Sequence, residues 1–360
     1  MITQKATPFS GSYRHDDVQF LLEQVVIEPT DIRTKETLIQ SGRHYSEMLS
    51  PEHPPSDAYL EIFHEATQHN GKRLAQDLLY LAHWISQNTK EVVLVSLARG
   101  GTPIGIWLKR ILENRGIDVW HYSISILRDR GLDTAALRHI ADRHKLDTLY
   151  FVDGWSAKGT IARELSASID RFNANFKTDV PNRLCVVSDL CGQATFSATH
   201  DDYLIPSSLL GATVSGLISR SLWNGGDPNH FHGCMYLDHL APFDLSQAHI
   251  ETIWQHIQSA PRLPRSPTPS GWIERARNHM DHLQQVSGCS AGHLKPGLGE
   301  STRALLRRVP DKLLLQDPDH PAVRHLLYLA EQKAVKIEVD SSMPFLSCAL
   351  IANRSNVGDV

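Results

Sequence analysis

The β-branched apolar run Glu91–Leu97 (EVVLVSL) passes directly into Ala98-Arg99-Gly100-Gly101 and then Thr102-Pro103, and this junction constrains the fold most. This run predicts a strand. Thr102 is expected as the N-cap of a helix with Pro103 at its first position. Ile104, Trp107, Leu108 and Ile111 then fall at i, i+3, i+4 and i+7, one apolar helix face. Three further strands are predicted, at residues 119–126, 149–152 and 184–188. The first ends in a charged loop, Leu127-Arg128-Asp129-Arg130-Gly131. The second runs into DGWSAKGT and a helix with Ile161, Leu165, Ile169 and Phe172 inward; the third ends at Asp189. Alternating strands and helices predict an α/β fold with a parallel, Rossmann-like sheet, its ligand site outside the carboxyl ends of the strands.

Two of these junctions aim backbone amides and a helix N-terminus at one edge of the sheet, an arrangement that holds phosphates. Arg99 stands beside Gly100, Gly101 and Thr102. Asp153, Ser156, Lys158 and Thr160 surround Gly154, Ala157 and Gly159. Neither loop has the order G-x-x-x-x-G-K-[ST] or G-x-G-x-x-G, which removes P-loop hydrolases and dinucleotide dehydrogenases from consideration.

Composition sets the boundaries. At 41% hydrophobic and 21% charged, the 360 residues read as globular, and no apolar run reaches the ~18 residues of a membrane helix. Five scattered cysteines without a CxxC pair fit free thiols in a reducing compartment, so a cytoplasmic location without membrane contact is expected. A formal charge of −4 leaves nucleic-acid contact to a local patch. The proline- and serine-rich segment 261–270 (PRLPRSPTPS) reads as a linker. The chain then divides into an extension or hood at 1–70, the α/β domain at 71–260, the linker, and a small α/β layer domain at 271–360.

LYFVDGWSAKGT resembles the phosphoribosyl-pyrophosphate (PRPP) loop of type I phosphoribosyltransferases, and SLARGGTP resembles their pyrophosphate loop. ILRDRGLD occupies the place of their mobile catalytic loop. Together GSY at 11–13, GRHYSEM, VSLARGGTPIG, HYSISILRDRGLD, FVDGWSAKGT and LIPSSLLGATVSGLISR resemble the phosphoribosyltransferase-like StiP family of tellurite-resistance (ter) stress operons, elsewhere labelled cysteine proteases. The resemblance covers most of residues 10–240. It implies a transferase that uses PRPP, or runs the reverse pyrophosphorolysis, on a nucleobase-like acceptor in a stress pathway. Arg99, Gly100, Gly101, Thr102, Gly154, Ser156, Ala157, Lys158, Gly159 and Thr160 would bind PRPP, with Asp153, Arg128 and Arg130 catalytic and Asp189 at the acceptor. Magnesium would arrive on the pyrophosphate without a dedicated protein ligand. A homodimer is a further expectation. Type I enzymes carry two adjacent acids in this loop, whereas Asp153 is followed by Gly154. That departure keeps open a non-enzymatic sensor of a phosphorylated ligand.

Three other constellations bear weighing. His230, His232 and Cys234 would share a face if they lie on a strand, offering zinc ligands, but no fourth ligand is paired by spacing and an edge turn with a buried cysteine is the better reading. A protease would need Cys234 with His230 or His232, or Cys191, as an activated thiol. In the C-terminal piece Ser301 is expected to cap a helix carrying Arg303, Arg307 and Arg308, followed by a strand at 312–316, a helix striped by Val323, Leu326, Leu327 and Ala330, and a strand at 335–339. That pattern resembles Pelota-like RNA-binding domains. The resemblance implies RNA contact through Lys295, Arg303, Arg307 and Arg308; a solvated helix face is the alternative.

Overall fold

The computed structural model describes residues 8–87, 89–260, 271–290 and 292–351. The expected linker at 261–270 lies outside the described residues. Six parallel strands form the main sheet: β1 (Gln19–Leu21), β2 (Glu91–Leu97), β3 (Asp118–Ile124), β4 (Leu149–Ser156), β5 (Leu184–Asp189) and β6 (Phe196–Thr199), in the order β1-β3-β2-β4-β5-β6. The order reverses between β2 and β4. In doubly wound sheets that switch point opens a crevice at the carboxyl ends of the strands. Both predicted phosphate loops border it.

The helices follow from caps and apolar stripes. Asp31 caps α1 (Ile32–Gln40), Ser56 caps α2 (Asp57–Ile85) and Asp133 caps α4 (Thr134–Ala141). Along β2, Val92 and Leu94 face α2, α3 (Gly101–Glu113) and α6 (Ser246–Ser259), while Val93 and Val95 face α4 and α5 (Thr160–Phe176). A strand covered on both faces is apolar over most of its length, which is why its centre reads VVLV. Trp107 of α3 is fully buried, its indole Nε1 donating to Ile250 O at 3.0 Å. Burying each such side chain is worth about 2 kcal/mol.

Several local expectations change. Thr102 does not cap α3: the cap is Gly100, without a side-chain bond, and the Thr102 hydroxyl meets Ser123 Oγ at 2.8 Å inside the core. Gly101 lies so close to β4 that a Cβ there would meet Val152 O at 2.2 Å. The expected strand 119–126 ends at Ile124, and Ile126–Leu127 instead pairs antiparallel with Gly131–Leu132, making RDRG a tight hairpin turn. Strand β4 runs to Ser156, past the expected end at 152. Helix α2 continues unbroken through residue 70.

The C-terminal region has α7 (Trp272–Ser287), α8 (Gly297–Arg307) and α9 (Arg324–Gln332) against a mixed sheet of β7 (Leu294–Pro296), β8 (Lys312–Leu315), β9 (Lys336–Val339) and β10 (Ser347–Leu350), ordered β7-β10-β8-β9. The overall class is thus a parallel-sheet α/β lobe followed by a smaller α/β lobe. Ser301 is interior to α8 rather than its cap, its hydroxyl donating to Lys295 O at 2.9 Å. The lobes share apolar cores: Tyr59, Ile62 and Phe63 of α2 cluster with Leu298, Leu305 and Leu326, and Ala157 and Leu190 with Met280, Leu294 and Phe345. Asp202 joins them by polar bonds, accepting from Leu298 N and Leu346 N at 2.9 Å each.

Candidate functional site

The β2–α3 and β4–α5 loops face each other across the switch point. Both helices begin at a glycine, Gly100 and Gly159, without a side-chain cap. The first amides of α5 keep their capacity for an outside acceptor, whereas at α3 the Thr102 amide already donates to Arg99 O at 3.1 Å and Pro103 has no N–H, which leaves Gly100 and Gly101. The Ala98–Arg99 peptide is cis. Arg99 Nη1 donates to Glu52 Oε1 at 2.8 Å and to Ile218 O at 2.9 Å. Burial favours the neutral form of Glu52, but Arg99 and the Ala212 amide outweigh it and hold the carboxyl below its ordinary value. Asp153 is 8% exposed, and its Oδ1 accepts from Gly154 N at 2.7 Å. Burial pushes it up to about 6 against the opposing charge of Arg303. At neutral pH it is an ionised acceptor, suited to a sugar hydroxyl.

The C-terminal lobe closes this crevice, which sequence reasoning missed. A Cβ on Gly100 would lie 2.6 Å from Arg303 Nη2 and 3.0 Å from Asp153 Oδ1. The Arg303 guanidinium stacks 4.3 Å above the Trp155 ring. Arg307 lies one turn further along α8 and reaches solvent, yet protein surrounds its charged end. Burial, then Arg303 and Arg99, lower its pKa to about 9. Arg220 donates to Tyr45 O at 2.7 Å and to Met48 O; burial, with a smaller contribution from Arg99, lowers it to about 10. A guanidinium keeps its proton in proteins, so this crowding expresses itself as a demand for anions.

The remaining predicted residues separate into groups. Lys158 is drawn onto the C-terminal lobe, donating to Leu294 O at 2.6 Å and Gly292 O at 3.3 Å, with Glu300 at 3.8 Å. Lys295 donates to the same Gly292 carbonyl at 2.7 Å; burial and the adjacent Lys158 charge lower its amine to about 7. Arg128 lies 5.6 Å from the Tyr45 ring centroid and donates its backbone N–H to the Tyr45 hydroxyl. Arg130 is held by His44 and Glu47 and stacks 3.4 Å over Trp223. Ala157 is buried in the core shared by the lobes, and Ser156 accepts at its carbonyl from Leu190 N. Asp189 is 1% exposed and accepts from Gln193 N and Ala194 N, which fixes the turn after β5. The carbonyl of Arg308 accepts from Lys333 Nζ at 3.0 Å.

The metal and thiol constellations disperse. Only Gly233–Cys234 forms a short ladder, with Glu23–Gln24; His230 pairs with Glu23 at 2.6 Å and His232 Nδ1 meets Ser125 Oγ at 2.7 Å. No cluster of three potential metal ligands exists among the described residues. Cys234 and Cys191 are buried, which pushes both thiols up to about 12. A nucleophilic cysteine needs the opposite shift, and among the described residues no thiol hydrogen-bonds an imidazole.

Residues 11–254 match the family described as tellurite-like stress resistance cysteine protease StiP, and residues 275–353 match the PELOTA RNA binding domain. A protein from Acinetobacter baylyi named cysteine protease StiP is 40% identical over 367 residues, covering 95% of this chain and 94% of its own. Among solved structures, a glutamine mutant from an analysis of an invariant aspartic acid in HPRTs is 13% identical, covers 46% of this chain and 91% of its own, and superposes with a TM-score of 0.28. A hypoxanthine phosphoribosyltransferase mutant from Trypanosoma cruzi, complexed with the product IMP, is 15% identical over 56% of this chain and 90% of its own, with a TM-score of 0.22. Superpositions that loose carry no argument. The family match and the near full-length relative do: the chain belongs to the StiP family of tellurite-like stress-resistance proteins.

Proposed function

We propose that the crevice binds PRPP and that the chain transfers its phosphoribosyl group between pyrophosphate and a nucleobase-like acceptor, in a stress response of the tellurite-resistance type. The observation that carries this reading is the convergence, at the switch point, of two uncapped helix N-termini, Asp153 and a guanidinium-lined wall. In the forward direction the C1–oxygen bond to pyrophosphate breaks, a C1–nitrogen bond forms, and the acceptor nitrogen gives up its proton. Charge develops on the leaving pyrophosphate and positive character on the ribose. The Gly100 and Gly101 amides, with the Arg99 loop, would meet the first; Asp153 would accept from a ribose hydroxyl as the second develops. The oxygen donors here, Asp153, Glu52 and Glu300, are few and lie among cations, which fits magnesium held on the substrate's own phosphate oxygens and spreading the leaving charge. The amides opening α5 would take the 5′-phosphate.

A non-enzymatic sensor is the second reading, favoured by the single acid Asp153 and by Lys158 being engaged across the lobes. The PELOTA match supports a further proposal, that the C-terminal lobe contacts RNA. Pyrophosphate release from PRPP, assayed against a panel of nucleobases, separates transferase from sensor. Release that Asp153→Ala reduces is expected of a transferase; tight PRPP binding without release for any acceptor would favour the sensor.

A further inference from the structure

Among the described residues, arginines with little exposure generally have a carboxylate or carbonyl partner. Arg99 has Glu52, Arg110 has Asp17 and Glu251, and Arg130 has Glu47. Arg303 and Arg307 differ: among the described residues neither forms a salt bridge or donates a hydrogen bond, although Asp153 and Glu300 lie near Arg303 and Glu52 near Arg307. Their position makes this costly. Arg303 Nη2 lies beside Gly100, the cap of α3, where the helix presents the positive ends of its amides. Among the described residues the only carboxylate oxygen at that point is Asp153 Oδ1, 3.0 Å from the Gly100 Cβ position, against the helix end and the guanidinium together. Arg307, four residues on, extends the same face of α8 toward Arg99 and Arg220.

We propose that Arg303 and Arg307, carried by the C-terminal lobe, are ligand-binding residues of the switch-point site, where they hold the diphosphate of the sugar ligand against the N-terminus of α3. The proposal rests on the reading above for the identity of the ligand. The packing of Trp155 explains how Arg303 is aimed. Its ring carries the guanidinium, and Gly299 of α8 comes so close that a Cβ there would meet the ring at 2.5 Å. The planar fork is thereby oriented before any ligand arrives, the arrangement that suits diphosphate oxygens. On this account the small lobe is a wall of the small-molecule site, and these two arginines are not its RNA contacts.

The test is calorimetric titration of the full chain with magnesium PRPP, with magnesium pyrophosphate, and with a short single-stranded RNA. Arg303→Gln and Arg307→Gln would each weaken PRPP and pyrophosphate binding by about tenfold or more, with RNA affinity unchanged and melting temperature little altered. Arg303→Lys would recover part of the loss, and Arg324→Gln, on the outer surface, none of it to lose. Variants that bind PRPP like the wild type, or that lose RNA instead, overturn the inference and leave the transferase reading intact. Wild-type binding of pyrophosphate but not PRPP, lost in Arg303→Gln, would sink that reading and keep the inference; binding of neither ligand sinks both.

Discussion

Helix α3 has an arginine at each end, and the two are treated differently. At its carboxyl end, where a cation is favoured, Arg110 is clasped by both Asp17 oxygens at 2.7 Å and by Glu251 at 3.0 Å. At its amino end, where a cation is disfavoured, Arg303 arrives from the other lobe without a salt bridge. Arg110 is satisfied within the fold and holds α3 to the N-terminal segment and α6. Arg303 is aimed by Trp155 and has only the nearby Asp153 and Glu300 charges, with no direct ion pair. The contrast separates a cation that builds the protein from one that waits for a ligand.

The largest effect that would break this comparison lies at the satisfied end. Asp17→Ala leaves Arg110 buried with half its counter-charge, and we expect a loss of about 3 kcal/mol in urea denaturation. Arg303→Gln should cost about 1 kcal/mol or less by the same measurement, since no salt bridge or hydrogen bond is lost, only the Trp155 stacking and the nearby Asp153 charge; a loss as large as that of Asp17→Ala would make Arg303 structural. A smaller effect concerns His249, buried against Trp107 and Phe63 with neither ring nitrogen bonded. His249→Phe should stabilise the chain by about 1 kcal/mol. Burial lowers its pKa to about 3 from an ordinary 6.5, so the folded state resists protonation there. Stability from the neutral ring is present above pH 6.5 and lost as pH falls toward 3. Asp133, Asp153 and Asp202, raised to about 6 by burial, act in the opposite sense below that pH. The difference between wild type and His249→Phe isolates the histidine, and it should grow on acidification. Smallest is Arg324→Gln, which breaks an exposed pair with Glu65 across the lobes; a few tenths of a kcal/mol is expected in the same titration.

Legibility in the sequence followed locality. Strand β2 and the apolar face of α3 are visible because burial on two faces and a helical period leave unmistakable patterns. The amino half of α2 escaped: Tyr59, Ile62, Phe63 and Ala66 keep helical spacing, but the polar residues between them and the prolines before them mask it, and the segment reads as part of the extension. Strand β10 is short and lies between partners distant in sequence, so nothing nearby announces it. The candidate site divides in the same way. The two loops are contiguous motifs and stand out at once. Glu52 on Arg99, Arg220 on the Tyr45 and Met48 carbonyls, and Arg303 on Trp155 are contacts between remote segments. Helical spacing shows that Arg303 and Arg307 share a face, while what that face meets is decided by the shared cores of the two lobes.

Amide hydrogen exchange of the full chain, with and without magnesium PRPP, tests the central claim most directly. Binding in the crevice predicts slowed exchange in two segments at once, residues 98–102 before α3 and residues 297–308 along α8. Protection confined to the first lobe, or none in either, would contradict a ligand held between them.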